Sequence, residues 1–294
     1  MERQEIMTPA GPMAALVWDS AGPNAPRLHF AHATGMNAAL YARLLTPLAA
    51  DFRIIASDAR GHGRTRLPAD PEALGGWEDF ACDLIDLIDA VDPATPWLLA
   101  GHSMGGTSSL LAAARAPNRV RGLLLLDPPF IPFAEARAFA AEGGRPPNPM
   151  ADQAGRRKPG FPSRAAAREA YRGRGVFSTW ADEDLDAYLE DGLIDSDDGA
   201  LLACTPAFES ATFRAVSLRV EPALQALKVP FALLAAEHGS TVRDNEMAHF
   251  AEHPMCLEAQ RLPGTSHFLP LEAGDAVRAG VARVAAAAEP LSSS

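Results

Sequence analysis

The chain reads as an α/β protein: a mostly parallel central sheet flanked by helices, with a helical cap inserted after the strand that ends at Asp127. Short apolar runs recur along the first half, separated by segments with helical spacing, which is the pattern of a parallel sheet covered on both faces. Between residues 130 and 227 this alternation stops, and past 228 it resumes. The expected organisation is therefore a core in two parts, 1–129 and 228–294, interrupted by a lid-like insertion at 130–227.

The first expected strands are RLHFAHA (27–33), FRIIASDAR (52–60) and PWLLAGHS (96–103). In FACDLIDLIDAVD, Leu84, Ile85, Leu87, Ile88 and Val91 line one helical face, while Asp83, Asp86 and Asp89 lie elsewhere. VRGLLLLDPPF (120–130) supplies a fourth strand, VPFALLAAEH (229–238) a fifth and CLEAQRL (256–262) a weaker sixth. AVRAGVARVAAAA closes the core as a helix, and PLSSS is a tail. The insertion shows no convincing strand. It holds GGRPPNP, a basic tract from Arg156 to Arg174 and the acidic tract DEDLDAYLEDGLIDSDD, expected to be solvated helix surface with mutually compensating charge.

With 294 residues and 48% of them hydrophobic, the chain can bury a full core. A net charge of −11 argues against nucleic acid or an anionic membrane as partner. The start, MERQEIMTPAG, has no apolar signal core, and no apolar run has membrane-spanning length. Cys82, Cys204 and Cys256 are few, odd in number and far apart, which fits reduced thiols in the cytoplasm and no cysteine-based zinc site. No H-E-x-x-H or closely spaced Cys/His set suggests any other metal.

The chemistry gathers at GHSMGG (101–106), between a strand and an alanine-rich helix. A serine at a sharp strand-to-helix corner needs minimal neighbours, and Gly101 and Gly105 provide them. Ser103 is then a nucleophile at a helix N-terminus, where free amides favour negative charge. Its base is expected from LPGTSHFLPLE, whose loop returns His267 to the same sheet edge. His102 is expected to point away from Ser103 and to pack or hydrogen-bond, and His62 to shape a loop, with His238, His249 and His253 at the surface. Two amides should hold a developing oxyanion: Met104, after the nucleophile, and Thr34 in FAHATGMN, a loop shaped by His32, Ala33 and Gly35.

FAHATG, DARGHGRT, GHSMGG, VRGLLLLDP and PGTSHFLPLE, in this order and spacing, resemble the α/β-hydrolase superfamily over about 27–129 and 228–285. That resemblance implies a serine hydrolase with a helical cap and no cofactor or metal. Ala33 departs from the glycine that usually follows the loop histidine. The larger departure concerns the acid. Most relatives carry it just after the penultimate strand, where this chain reads AAEHGS and places Gly239. Asp127, which some branches of the superfamily use, is the favoured acid, with Glu237 as alternative and Asp244 as a further option.

The expected reaction is cleavage of a carboxylic ester or lactone of a small, mostly apolar molecule by way of an acyl-enzyme on Ser103. Carbon–carbon hydrolysis of a diketone-type substrate is the alternative, and a binding protein on the same fold is a third. The expected substrate pocket comprises His32, Phe161, Tyr171, Phe177, Trp180, Phe208 and Phe213, with Phe130 and Phe133 at its entrance. Oligomeric state stays open, a homodimer through the insertion being one option.

Overall fold

The computed structural model describes residues 1–288; the PLSSS tail lies outside the described residues. The core strands are β1 (Glu2–Thr8), β2 (Gly11–Trp18), β3 (Arg27–Ala31), β4 (Arg53–Ser57), β5 (Trp97–His102) and β6 (Val120–Leu126), then β10 (Phe231–Ala236) and β11 (Cys256–Leu262) beyond the insertion. They form one sheet in the order β1-β2-β4-β3-β5-β6-β10-β11. Every pairing from β4 to β11 is parallel. All six expected strands are present.

The β1–β2 hairpin, antiparallel to its neighbour β4, is an addition to the expected fold. Its outer strand, ERQEIMT, is largely exposed and carries charge, so it lacks the apolar run that marks a covered strand. Strand residues alternate between two apolar layers. Leu123 and Leu125 pack with the helices Trp77–Val91, Met104–Arg115 and Val220–Ala226. Leu124 and Leu126 pack with residues 38–49 and the closing helix Gly274–Ala287.

The insertion departs from the helical expectation. Beside its helices it contains a three-stranded antiparallel sheet of β7 (Gly160–Phe161), β9 (Gly199–Leu202) and β8 (Leu193–Ser196). The hairpin leaves no clear sequence pattern: β8 ends the acidic tract, β9 follows it, and Ile194, Asp195, Ser196 and Leu201 are exposed. At its turn Gly199 has φ +132°, and a Cβ there would sit 2.2 Å from the Phe161 carbonyl oxygen.

The acidic tract is not a simple solvated face either. Asp184 and Asp191, on the helix Asp182–Gly192, are buried. Arg43 grips Asp184 through two bonds of 2.9 and 2.6 Å, and Arg3 and Arg64 both bind Asp191. These pairs fasten the insertion to the core. Among the described residues no helix is long and apolar enough to cross a membrane.

Candidate active site

Strand β5 delivers Ser103 at a corner with φ 54° and ψ −126°, a conformation costly for any residue with a Cβ. The surroundings enforce it. A Cβ on Gly101 would come 2.3 Å from the Gly105 carbonyl oxygen, and one on Gly105 would come 2.2 Å from that of Ala31. The Ser103 N–H donates to Leu126 at 2.9 Å, while its carbonyl accepts from Gly106 and Thr107 in the first helical turn.

His267 Nε2 lies 3.0 Å from Ser103 Oγ, and its Nδ1 lies 2.6 Å from Asp127 Oδ2. Asp127 is fully buried at the end of β6, itself at a positive φ of 44°. Its Oδ1 accepts from the Ala236 N–H at 3.0 Å and the Ser240 hydroxyl at 2.5 Å; Oδ2 also accepts from the Thr241 N–H at 3.1 Å. Burial alone would push this carboxyl up. The bond and charge of His267, with Ser240 and Ala236, more than offset it and hold the group down at about 2.

Glu237, the alternative acid, does not reach His267. Its Oε2 accepts the Gly264 N–H at 2.7 Å and so pins the start of the histidine loop. His238 N–H to Thr265 O at 3.0 Å and Ser266 N–H to Glu272 Oε2 at 2.6 Å pin the rest. Asp244 pairs with Arg261 instead. Gly239, at φ +62° in the turn after β10, leads into Ser240 and Thr241, which hold Asp127.

The loop after β3 approaches Ser103 from the other side. His32 donates from Nδ1 to the Ala33 carbonyl at 2.7 Å and accepts at Nε2 from the Ala59 N–H at 2.9 Å. Both ring nitrogens are therefore spent on backbone, so His32 braces the loop and offers a substrate no polar atom. His62 acts likewise, with Nε2 accepting the Gly35 N–H at 3.0 Å. Asp58, at the head of DARGHGRT, ties Ala38 N–H to Arg64 N–H, both at 2.8 Å. Among the described residues the Thr34 and Met104 amides donate to no partner, which leaves both free for an oxyanion.

Of the expected wall, Tyr171, Phe177 and Trp180 converge. Tyr171 stacks on Phe177 at 4.4 Å, Phe177 meets Trp180 at 4.8 Å, and Trp180 meets Phe268 at 5.1 Å, next to His267. Phe161 joins through Tyr171 at 5.3 Å. Phe130 and Phe208 pack into the core instead. Phe130 stacks on Phe250 at 5.5 Å and also meets Phe133, joining the core under the sheet edge. Phe208 is packed onto Gly61 and His62. Phe213, five residues on, points about 140° round the same helix and is half-buried.

Sequence reading missed two contributors. Tyr188, inside the acidic tract, is buried within the aromatic cluster and accepts at its carbonyl from Asn37 Nδ2 at 2.8 Å. Arg157, inside the basic tract, binds buried Glu209 and donates to the Tyr171 hydroxyl at 2.8 Å. Glu209 in turn lies against Gly35 of the loop after β3. The signal for Tyr188 was its place between Leu185 and Leu189 on one helical face.

The sequence profile of the Alpha/beta hydrolase family matches residues 30–279. The chain belongs to that family. Among curated relatives it is 35% identical over 116 residues to the 2-(acetamidomethylene)succinate hydrolase of Mesorhizobium japonicum, covering 40% of each chain. It is 30% identical over 115 residues to the monoglyceride lipase of Rattus norvegicus, covering 38% of this chain and 37% of that one. An epoxide hydrolase of Caballeronia sordidicola is 32% identical over 123 residues, 41% of this chain and 37% of that one. The chain thus spans about two fifths of the curated relatives it matches. A solved E-2-(acetamidomethylene)succinate hydrolase superposes with a TM-score of 0.77 at 22% identity, over 97% of this chain and 99% of that one, which establishes the shared fold.

Proposed function

We propose that the protein is a serine hydrolase that opens a carboxylic ester or lactone of a small, mostly apolar substrate through an acyl-enzyme on Ser103. The observation that carries this reading is the continuous Ser103–His267–Asp127 hydrogen-bonded line, at 3.0 and 2.6 Å. In the acylation step His267 Nε2 takes the Ser103 proton, Oγ bonds to the substrate carbonyl carbon, and the carbonyl π-electrons move onto oxygen. The free amides of Thr34 and Met104 meet that charge. Collapse expels the alcohol, which takes the proton from Nε2. Water then attacks the acyl-serine with His267 again as base, and acid and free Ser103 are released. Asp127, ionised throughout the neutral range, orients the ring and stabilises its imidazolium form.

The family's lipase relative supports an ester as substrate class. Substrate selection is assigned to Tyr171, Phe177, Trp180 and Tyr188, which build the apolar wall beside Phe268. That aromatic wall also favours a second reading, hydrolysis of a carbon–carbon bond in a diketone-type substrate by the same three residues. The free thiols Cys82, Cys204 and Cys256 support a reducing compartment, the cytoplasm.

Hydrolysis of p-nitrophenyl acetate, butyrate and octanoate by the wild type and Ser103→Ala tests the proposal. Turnover by the wild type alone sustains it, and the chain-length trend sizes the wall. Equal turnover by Ser103→Ala would remove the nucleophile assignment. A diketone turned over far faster than any ester would move the protein to the second reading.

A further inference from the structure

Tyr41 and His102 take no part in the chemistry above, yet both are wholly buried beside it. Their hydrogen bonds fix every proton between them. His102 Nε2 is 2.7 Å from the backbone carbonyl of His267; a carbonyl only accepts, so Nε2 carries the hydrogen. Burial pushes the His102 ring down to about 3, so the ring is neutral and Nδ1 presents a lone pair. The Tyr41 hydroxyl, 2.7 Å from that Nδ1, must then be its donor, and burial pushes Tyr41 up, which keeps the phenol protonated. The Tyr41 oxygen accepts in turn from the Ala33 N–H at 3.3 Å.

We propose that Tyr41 and His102 form a one-directional hydrogen-bonded strut, Ala33 N–H to Tyr41 O–H to His102 to His267 C=O, that sets the distance between the oxyanion loop and the catalytic histidine. The inference rests on the serine-hydrolase reading. One end holds Ala33, the neighbour of the Thr34 donor; the other holds the backbone of His267 itself. The middle member precedes Ser103 in the chain, so the strut touches all three parts of the site. Its neutrality matters as well as its length. The His102 and His267 rings lie 4.9 Å apart, and a charged His102 would oppose the imidazolium that His267 must form. Tyr41 and His102 are thus positioning residues.

The test reads the rate at which a fluorophosphonate labels Ser103, because that step needs both His267 and the oxyanion donors but no knowledge of the substrate. Tyr41→Phe and His102→Ala should each slow labelling by roughly ten-fold or more, as misplacement of reacting groups does. Because they cut one strut, the double variant should be no slower than the slower single to within about two-fold. His102→Gln, whose amide can still donate to the His267 carbonyl, should label faster than His102→Ala. Wild-type rates in Tyr41→Phe, or fully multiplicative losses in the double variant, would overturn the strut. Ring ¹⁵N spectra of the wild type supply a readout independent of activity: His102 should show hydrogen on Nε2 alone. Hydrogen on Nδ1 sinks the strut whatever the labelling shows. A wild type that takes no label, with the tautomer as expected, sinks the serine-hydrolase reading instead.

Discussion

Both the core and the insertion carry arginine–carboxylate pairs, but only the core adds buried histidines. The core buries neutral histidines: His29, His32, His62 and His102 all lie inside it, tied to backbone or hydroxyl partners. The insertion contains no histidine and is laced by arginine–carboxylate pairs, with Arg164 and Arg168 on one helix and Arg172 just past its end bound to Asp195, Asp186 and Asp182. Neutral groups whose partners are fixed give exact geometry at the bond-making atoms. Exposed ion pairs are weak and adjustable, which would suit the wall proposed above for a substrate. The contrast predicts that acid attacks the core and salt loosens the insertion.

Asp127→Asn gives the largest expected change. It should cut turnover about 10⁴-fold by leaving His267 in the wrong tautomer, whereas Glu237→Gln should change it by less than about two-fold. Steady-state kinetics on a p-nitrophenyl ester checks both, and a reversed order would relocate the acid to the turn after β10. Gly105→Ala attacks the core backbone directly, since its Cβ would meet the Ala31 carbonyl oxygen at 2.2 Å. It should cost about 3 kcal/mol or more in a urea titration.

Acid supplies the next test. His29, His32 and His102 are pushed down to about 3 and His62 to about 4, chiefly by burial. The unfolded chain protonates these rings near their ordinary pKa of about 6.5, so it binds more protons and stability falls as pH drops below that value. Asp58, pushed up to about 6 by burial, runs the other way and offsets one of the four. Near pH 5, unfolding should therefore take up about three protons, a slope of roughly 4 kcal/mol per pH unit. A urea midpoint that stays flat from pH 7 to 5 would break the contrast.

Smaller effects belong to the insertion. Glu209→Gln removes the charge facing Arg157 and loosens the contact on Gly35. It should cost about 1 kcal/mol and raise KM a few-fold while kcat holds. Raising salt to about 1 M should weaken the surface pairs of Arg164, Arg168 and Arg172 only slightly. Limited proteolysis inside 160–200, faster at high salt, is the measurement.

The same division governed what the sequence could disclose. In β5, β6 and β10 burial on both faces demands continuous apolar residues, so WLLAGH, VRGLLLL and FALLAA announce themselves. The meeting of Ser103 with His267 was legible from motif and place, and that of His267 with Asp127 from the vacancy at Gly239. In β8 three of four residues are exposed, so nothing in LIDS distinguishes it from a loop. Arg157 and Asp191 look like any surface charge, because burial of a paired ion leaves no mark in composition. Phe130 and Phe208 were misjudged for the converse reason: an aromatic residue before or within an insertion packs a core as readily as it lines a wall.

Ser103 and Asp127 stand at the ends of adjacent strands, β5 and β6, which are hydrogen-bonded to one another, with His102 opposite Leu126. Their separation is governed by the spacing of two neighbouring strands, about 4.8 Å between chains. His267 alone rides on a loop, latched by Glu237, Glu272 and the His238 amide. On warming, that latch should open before the sheet does. Heat inactivation of this protein would then begin as a reversible swing of one short loop, with activity failing some degrees below the loss of circular dichroism and returning on cooling.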